Sequence, residues 1–99
     1  KAETVSTFTT SKSPNSHRGL GFDKPNTAKP SWSSTCDEAT PETYGHTGFT
    51  GTCFWVDPKN DMIYIFLCNR VSPTRDNPAF GRVSARSHIQ SLLYHSIKQ

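Results

Sequence analysis

Two runs of β-branched and aromatic residues, separated by a short turn, constrain the fold of this chain most strongly. The runs cover residues 50–56 and 62–68, and their composition suits a pleated, partly buried surface. Between them, residues 57–61 read Asp-Pro-Lys-Asn-Asp, where proline presets φ and Asn and Asp tolerate the left-handed region. The pattern predicts a β-hairpin. The second run is almost continuously apolar, which predicts a central strand buried on both faces.

Upstream of this hairpin the sequence predicts one further strand and a long loop. Leu20 and Phe22 lie two residues apart, and we interpret residues 18–23 as a strand that ends before Pro25. Residues 26–43 are polar and contain prolines, which is typical of a long surface loop. The predicted strands are Arg18–Asp23, Gly48–Val56 and Met62–Asn69.

Downstream of the hairpin, residues 83–97 have the pattern of a helix. Asn77-Pro78, which precedes them, is typical of a cap followed by proline at the first helical position. The apolar stripe of this helix consists of Ala85, Ile89, Leu92, Leu93 and Ile97. We expect the stripe to cover the hairpin and to bury Leu92 and Leu93, because neither element can bury its apolar side alone. The predicted fold class is α+β, with antiparallel strands and a C-terminal helix packed on one face.

Composition and charge exclude several classes of function. A net charge of +3, with no basic cluster interleaved with aromatic residues, argues against a nucleic-acid partner. No apolar run is long enough to span a membrane, and no signal peptide opens the chain. The hydrophobic fraction of 32% is low for a self-sufficient unit and predicts reliance on further partners. We interpret Arg18, Arg82 and Arg86 as solvated surface charges.

No metal site and no catalytic carboxylate pair is predicted. His88 and His95 are seven residues apart, whereas paired histidine ligands on a helix are four apart. The cysteines lack a Cys-x-x-Cys spacing, and we expect them to be buried free thiols. The three cysteines are Cys36, Cys53 and Cys68. The loop carboxylates, which we expect to be solvated, are Asp37, Glu38 and Glu42.

A glycine-rich stretch precedes the hairpin and reads Tyr-Gly-His-Thr-Gly-Phe-Thr-Gly-Thr over residues 44–52. Glycine in a strand costs conformational entropy and contributes nothing to packing. It therefore marks either a tightly packed strand entry or a close approach of backbone to a ligand. The residues alone leave both interpretations open.

With residues 18–25, Trp55-Val56-Asp57-Pro58 and residues 65–71, this stretch resembles the C-terminal part of the serine β-lactamase-related hydrolases. That superfamily includes class C β-lactamases, penicillin-binding proteins, esterases and D-aminopeptidases. His46-Thr47-Gly48 occupies the place of its third active-site motif, Lys-Thr-Gly or His-Thr-Gly. The resemblance implies that residues 1–99 are the C-terminal portion of a transpeptidase-like domain, without a cofactor, and that the protein is periplasmic or secreted.

The resemblance also assigns roles to four residues. The N–H of Phe49 would be one of two donors to the developing oxyanion, and His46 would hydrogen-bond near the nucleophile's base or the substrate carbonyl. Thr47 would offer its hydroxyl to a substrate carboxylate, and Gly48 would let the substrate approach. Histidine is largely neutral near pH 7, whereas lysine is a fixed cation. His46 therefore favours esters or D-amino-acid amides over carboxylate-bearing β-lactams.

Two motifs of the superfamily do not occur in this sequence. No lysine follows a serine by three positions, so Ser-x-x-Lys is missing, and no tyrosine begins Tyr-x-Asn. We therefore predict a C-terminal fragment of a serine hydrolase, inactive alone. Its partners would be the remainder of the parent domain and a small ester, amide or cell-wall peptide. The alternative is a non-catalytic structural or binding module derived from the same lobe, and a Ser-x-x-Lys in the parent chain would decide between them.

Overall fold

The computed structural model describes residues 1–97 and has α+β architecture, which confirms the predicted fold class. The elements in chain order are α1 (Ala2–Thr9), a 3-10 turn (Pro30–Trp32), β1 (Tyr44–Thr47), β2 (Cys53–Asp57), a 3-10 turn (Pro58–Asn60), β3 (Met62–Phe66), α2 (Ala79–Arg82) and α3 (Ala85–Ile97). Within the described residues, the strands form one antiparallel sheet in the order β1-β2-β3.

The predicted hairpin and its turn are confirmed. Strands β2 and β3 pair in antiparallel register from Cys53 opposite Phe66 to Asp57 opposite Met62. The Asp57 carboxylate accepts hydrogen bonds from the backbone N–H groups of the 3-10 turn, and Asp61 has a φ of 49°. Aspartate is one of the few residues that adopt this left-handed conformation readily. The turn therefore follows from its own residues.

The prediction of a strand at Arg18–Asp23 is wrong. Of those residues only Asp23 pairs with the sheet, through an isolated bridge to Gly45. Gly21 has a φ of 83°, which turns the chain and prevents the extended conformation. The third strand is instead β1. The predicted strand Gly48–Val56 begins late, at Cys53, because the preceding residues form the turn between β1 and β2.

Strand β3 lies at an edge of the sheet, so the prediction of a central strand buried on both faces is wrong. Met62 and Tyr64 point into the core, whereas Ile63, Ile65 and Leu67 are exposed. The residues are apolar on both faces, but nothing in residues 1–97 covers the second one. We call this surface the outer sheet face; it consists of Phe54, Ile63, Ile65 and Leu67.

The predicted helix 83–97 is present but begins two residues later, at Ala85, and its apolar stripe faces away from the sheet. Helix α2 ends at Arg82 and α3 begins at Ala85, with Ser84 between them at a φ of 48°. Leu92 is 67% and Leu93 41% exposed, which contradicts the predicted packing. The face that packs inward carries Gln90 and Tyr94 instead. Tyr94 belongs to the hydrophobic core, and both residues also form hydrogen bonds to buried groups, Tyr94 to Asp57 and Gln90 to the backbone of Cys36.

The strongest of these hydrogen bonds converge on Asp57, which is only 1% exposed. Its carboxylate accepts from the hydroxyl of Tyr94 at 2.6 Å, the hydroxyl of Thr40 at 2.7 Å and the side-chain amide of Asn60 at 2.9 Å. Burial by itself raises the pKa of Asp57, but the hydrogen bonds from Tyr94, Asn60 and Thr40 outweigh it and hold the pKa well below its usual range. Asp57 thus joins α3, the long loop and the hairpin turn.

We expect Asp57→Ala to lower the free energy of unfolding by about 3 kcal/mol, because several buried donors lose their acceptor. Tyr94→Phe, which removes one of those donors, should cost about 1 kcal/mol. The folded-state pKa lies below the unfolded one, so this stability is present above about pH 4 and is lost as the pH falls through the folded-state pKa. Urea unfolding, followed by tryptophan fluorescence, measures the free energies of unfolding and their dependence on pH. An Asp57→Asn variant as stable as wild type at pH 7 would contradict these predictions.

Helix α3 also anchors the long loop of residues 26–43. The backbone N–H of Cys36 donates to the buried side chain of Gln90 at 2.9 Å. Glu38 accepts from the Ser91 hydroxyl at 2.7 Å and lies 2.9 Å from His95, so the prediction that Glu38 is simply solvated is wrong. The Ser91 hydrogen bond lowers the pKa of Glu38.

The cysteines are free thiols, with Cys36 and Cys53 buried and Cys68 half-buried. This confirms the expectation for the first two. None of the helices in residues 1–97 is long and apolar enough to cross a membrane.

Candidate functional site

The third-motif residues lie where β1 ends and its turn begins. His46 and Thr47 are the last two residues of β1, and Gly48 and Phe49 open the turn. An open cleft of about 350 Å³ runs beside them. Its lining residues are His46, Thr47, Gly48, Thr52, Cys53, Phe54, Ile65 and Leu67. The cleft thus combines the polar motif with part of the outer sheet face, which is the composition of a small-molecule site.

Two glycines of the stretch have packing reasons of their own. A side chain at Gly45 would collide with the backbone of Phe54 and the ring of Trp55 on the neighbouring strand. A side chain at Gly48 would collide with the hydroxyl of Thr52 across the turn. Gly51 has a φ of 104°, which glycine adopts without strain. The glycine spacing is therefore explained by the hairpin, and a substrate need not be invoked for it.

The contacts of His46 determine its tautomer. Its Nδ1 lies 2.7 Å from the carbonyl oxygen of Thr47, which can only accept, so Nδ1 carries the proton. Its Nε2 lies 3.0 Å from Nη2 of Arg18, which can only donate, so Nε2 is the acceptor. The ring is therefore neutral, and both nitrogens are engaged. In this arrangement His46 has no spare N–H for a substrate carbonyl.

Arg18 brings a fixed positive charge to the motif. Its Nε donates to the Asp23 carboxylate at 2.9 Å while Nη2 reaches His46, so two neighbours orient the guanidinium. No other acceptor for Arg18 lies within residues 1–97, which leaves both protons of Nη1 and one of Nη2 available. The expectation that the His-Thr-Gly position lacks a fixed cation thus does not hold for the folded chain.

Sequence reasoning assigned Arg18 to the solvated surface. It lies 28 positions before His46. No spacing rule connects the two, so only the fold brings them together.

The backbone N–H of Phe49 is free to donate. Within residues 1–97 no acceptor satisfies it, whereas the preceding N–H of Gly48 is bonded to Thr52 across the turn. The Phe49 carbonyl accepts from Nε of Arg70 at 2.7 Å. The exposed Phe49 ring lies 4.8 Å from the Arg70 guanidinium and 5.7 Å from that of Arg75. Phe49 follows Gly48, which lines the cleft, and an unpaired N–H beside a cleft is what an oxyanion donor requires.

Arg86 is another arginine that the sequence analysis placed on the solvated surface, and that interpretation is wrong. Its side chain is half-buried and donates to the carbonyl oxygens of Gly48 and Gly51. The turn that carries the candidate donor is therefore tied to helix α3.

The sequence matches the Beta-lactamase family over residues 1–85. This match confirms that the protein is one of the serine β-lactamase-related hydrolases, as the resemblance implied. The chain belongs to the Beta-lactamase family.

The chain is also similar to curated proteins. The chain is 42% identical over 78 residues to a protein of Escherichia coli (strain K12) named "Putative D-alanyl-D-alanine carboxypeptidase", covering 76% of this chain and 17% of the relative. A protein of the same name from Salmonella newport (strain SL254) is 42% identical over 55 residues, covering 56% of this chain and 12% of the relative. The chain thus spans less than a fifth of the length of these relatives. No solved structure matches it.

Proposed function

We propose that this chain supplies the third motif and one oxyanion donor to a serine hydrolase that cleaves a peptide or amide bond next to a D-amino acid. The observation that carries the proposal is the unpaired N–H of Phe49, the residue directly after His46-Thr47-Gly48, which line the cleft. Two donors that converge on the developing negative charge lower the barrier of acyl transfer. The second donor and the nucleophile belong to the part of the hydrolase domain outside residues 1–99.

The charge at the motif supports a peptide substrate with a free C-terminal carboxylate. A guanidinium with unpaired N–H groups on both Nη atoms matches the two oxygens of a carboxylate. Thr47 offers a hydroxyl on the same strand, and His46 holds Arg18 in place instead of contacting the carbonyl itself. The names of the relatives, which specify a D-alanyl-D-alanine carboxypeptidase, fit this chemistry. Esters without a carboxylate become the weaker substrates in this proposal.

The uncovered apolar surfaces support a larger parent domain as the partner. Outside the cleft, the outer sheet face and the stripe of α3 leave large apolar side chains in water, among them Ile63 and Leu92. Exposed apolar patches of this kind mark interaction surfaces. We propose that the remainder of the hydrolase domain covers them. A cell-wall peptide substrate would place the protein in the periplasm or outside the cell.

The substrate preference of the full-length protein tests this assignment. The two substrates are a peptide ending in D-alanyl-D-alanine and the same peptide with a C-terminal amide. We expect Arg18→Met to lower kcat/KM for the carboxylate about 10- to 100-fold, the equivalent of about 1.5–3 kcal/mol for one charged hydrogen bond. The amide should change little, because it offers no negative charge to the guanidinium.

Asp23→Asn is the matched control, because it weakens the ion pair but keeps the guanidinium. It should retain most of the preference for the carboxylate. An Arg18→Met enzyme with the wild-type preference would show that Arg18 does not bind the carboxylate. A wild-type enzyme that hydrolyses neither substrate would refute the hydrolase itself and leave the non-catalytic module.

A further inference from the structure

Arg86 joins the start of helix α3 to the turn between β1 and β2. Its Nε donates to the carbonyl oxygen of Gly51 at 2.8 Å, and its Nη2 donates to that of Gly48 at 2.9 Å. The guanidinium is planar and carries its donors at fixed angles, so two simultaneous hydrogen bonds fix the position of both carbonyls. One half-buried side chain thus determines the conformation of the turn.

The carbonyl of Gly48 and the N–H of Phe49 belong to the same peptide unit. That peptide is trans, so its N–H points away from the side on which Arg86 holds the oxygen. The same oxygen also accepts from the N–H of Gly51 at 3.1 Å. Two donors, one of them a cation, therefore act on the oxygen. Hydrogen bonds to a carbonyl polarise its amide and strengthen the N–H as a donor.

The backbone and the side chain of Arg86 are each held by a neighbouring residue. The hydroxyl of Tyr64, a core residue, donates to the Arg86 carbonyl at 3.1 Å. The guanidinium lies 5.2 Å from the centre of the Phe80 ring, within the range of a cation–π contact. These contacts come from β3 and α2. The orientation of the Gly48–Phe49 peptide therefore depends on the packed core and not on the turn alone.

We propose that Arg86 is a positioning residue that sets both the direction and the donor strength of the Phe49 N–H. It touches neither the substrate nor the nucleophile and acts through the Gly48 carbonyl. The inference rests on the proposed function, in which the Phe49 N–H binds the oxyanion. This role explains why Arg86, which lies 38 positions after Gly48, is half-buried against the turn between β1 and β2.

The first test measures kcat and KM of the full-length protein for a peptide ending in D-alanyl-D-alanine. Arg86→Met keeps most of the stem and removes every donor. We expect kcat to fall about 10- to 50-fold with KM within about 2-fold. Loss of an entire oxyanion donor costs about 10²–10³ in kcat, and here the donor is misaligned but not deleted. Arg86→Lys, which restores one donor, should recover part of kcat. Arg82→Met, on the exposed face of α2, is the matched control and should keep wild-type values.

The second test needs no activity. In the full-length protein labelled with ¹⁵N-phenylalanine, the Phe49 amide proton should move upfield in Arg86→Met and stay in place in Arg82→Met. A fall in kcat without movement of this resonance would overturn the proposal, because the loss would then be a general destabilisation. Wild-type kcat in Arg86→Met would overturn it as well. If the wild-type protein hydrolyses nothing, the proposed function fails, and the Phe49 resonance alone decides whether Arg86 controls this peptide.

Discussion

The 99-residue chain, purified alone, should release no D-alanine from a peptide ending in D-alanyl-D-alanine and no p-nitrophenol from an ester. In the proposed function the chain supplies the third motif, and because its sequence has no Ser-x-x-Lys, the group that attacks the substrate would come from outside it. Removing the nucleophile from a serine hydrolase costs about 10⁶-fold in kcat. In the proposed function only binding and one oxyanion donor remain, which is less than the complete oxyanion hole of a serine hydrolase that has lost its nucleophile. The measurement is product release against a buffer blank.

Substitution of Cys36 or His46 tests whether either residue could act as the nucleophile in the isolated chain. Burial raises the pKa of the Cys36 thiol to about 12, so it stays protonated near neutral pH and is a poor nucleophile. His46 has both ring nitrogens engaged, by Thr47 and Arg18. Turnover by the isolated chain that disappears in Cys36→Ala or His46→Ala would contradict the prediction. It would mean that one of them replaces the missing serine.

The parts of the fold that the sequence predicts correctly are those determined by neighbouring residues. The β2–β3 hairpin follows from two strand-forming runs around a turn whose Asp57 and Asp61 suit their conformations. The Asn77-Pro78 signal marks a helix start, but that of the short α2: Pro78 is itself the N-cap, and the Asn77 side chain accepts from the N–H of Ala79 at 2.9 Å. In each case the determining contacts lie within four residues.

The incorrect predictions share a different cause. Leu92 and Leu93 follow the apolar period correctly, but the period indicates only that a partner exists, not where it lies. Helix α3 packs through Gln90 and Tyr94 because Tyr94 reaches the buried Asp57 carboxylate. The same holds for β3, whose second apolar face is uncovered within residues 1–97. In a sequence, the apolar residues of an interface show the same periodicity as the residues of a buried core.

The candidate site was only half predictable. His46, Thr47, Gly48 and Phe49 are adjacent in the sequence, so a motif finds them. Arg18 contacts His46 at the end of β1 from 28 positions away, and Arg86 contacts Gly48 in the following turn from 38 positions away, through contacts that depend on the complete fold. Since a lone arginine is usually a solvated charge, neither position carries a signal of its own.

In the full-length protein, Phe49→Pro should lower kcat about 10²–10³-fold, because proline has no N–H to donate to the oxyanion. The residue before a proline must be extended, and Gly48 is the residue that tolerates this most easily. The Gly48 carbonyl remains in place, so Arg86 and the N–H of Gly51 keep their acceptor. The change is therefore confined to one donor. Thermal unfolding shows whether the variant folds before its kcat is measured.

Phe49→Ala is the matched control, since it keeps the N–H and removes the ring. It loses the contacts of that ring with Arg70 at 4.8 Å and Arg75 at 5.7 Å. Exposed cation–π contacts are worth about 0.5–1 kcal/mol, so the kcat of Phe49→Ala should stay within about 3-fold of wild type. If both variants lose kcat equally, the ring and not the N–H is what the reaction uses. If Phe49→Pro is folded and keeps wild-type kcat, the oxyanion is bound elsewhere, and the unpaired N–H of Phe49 has no part in the chemistry.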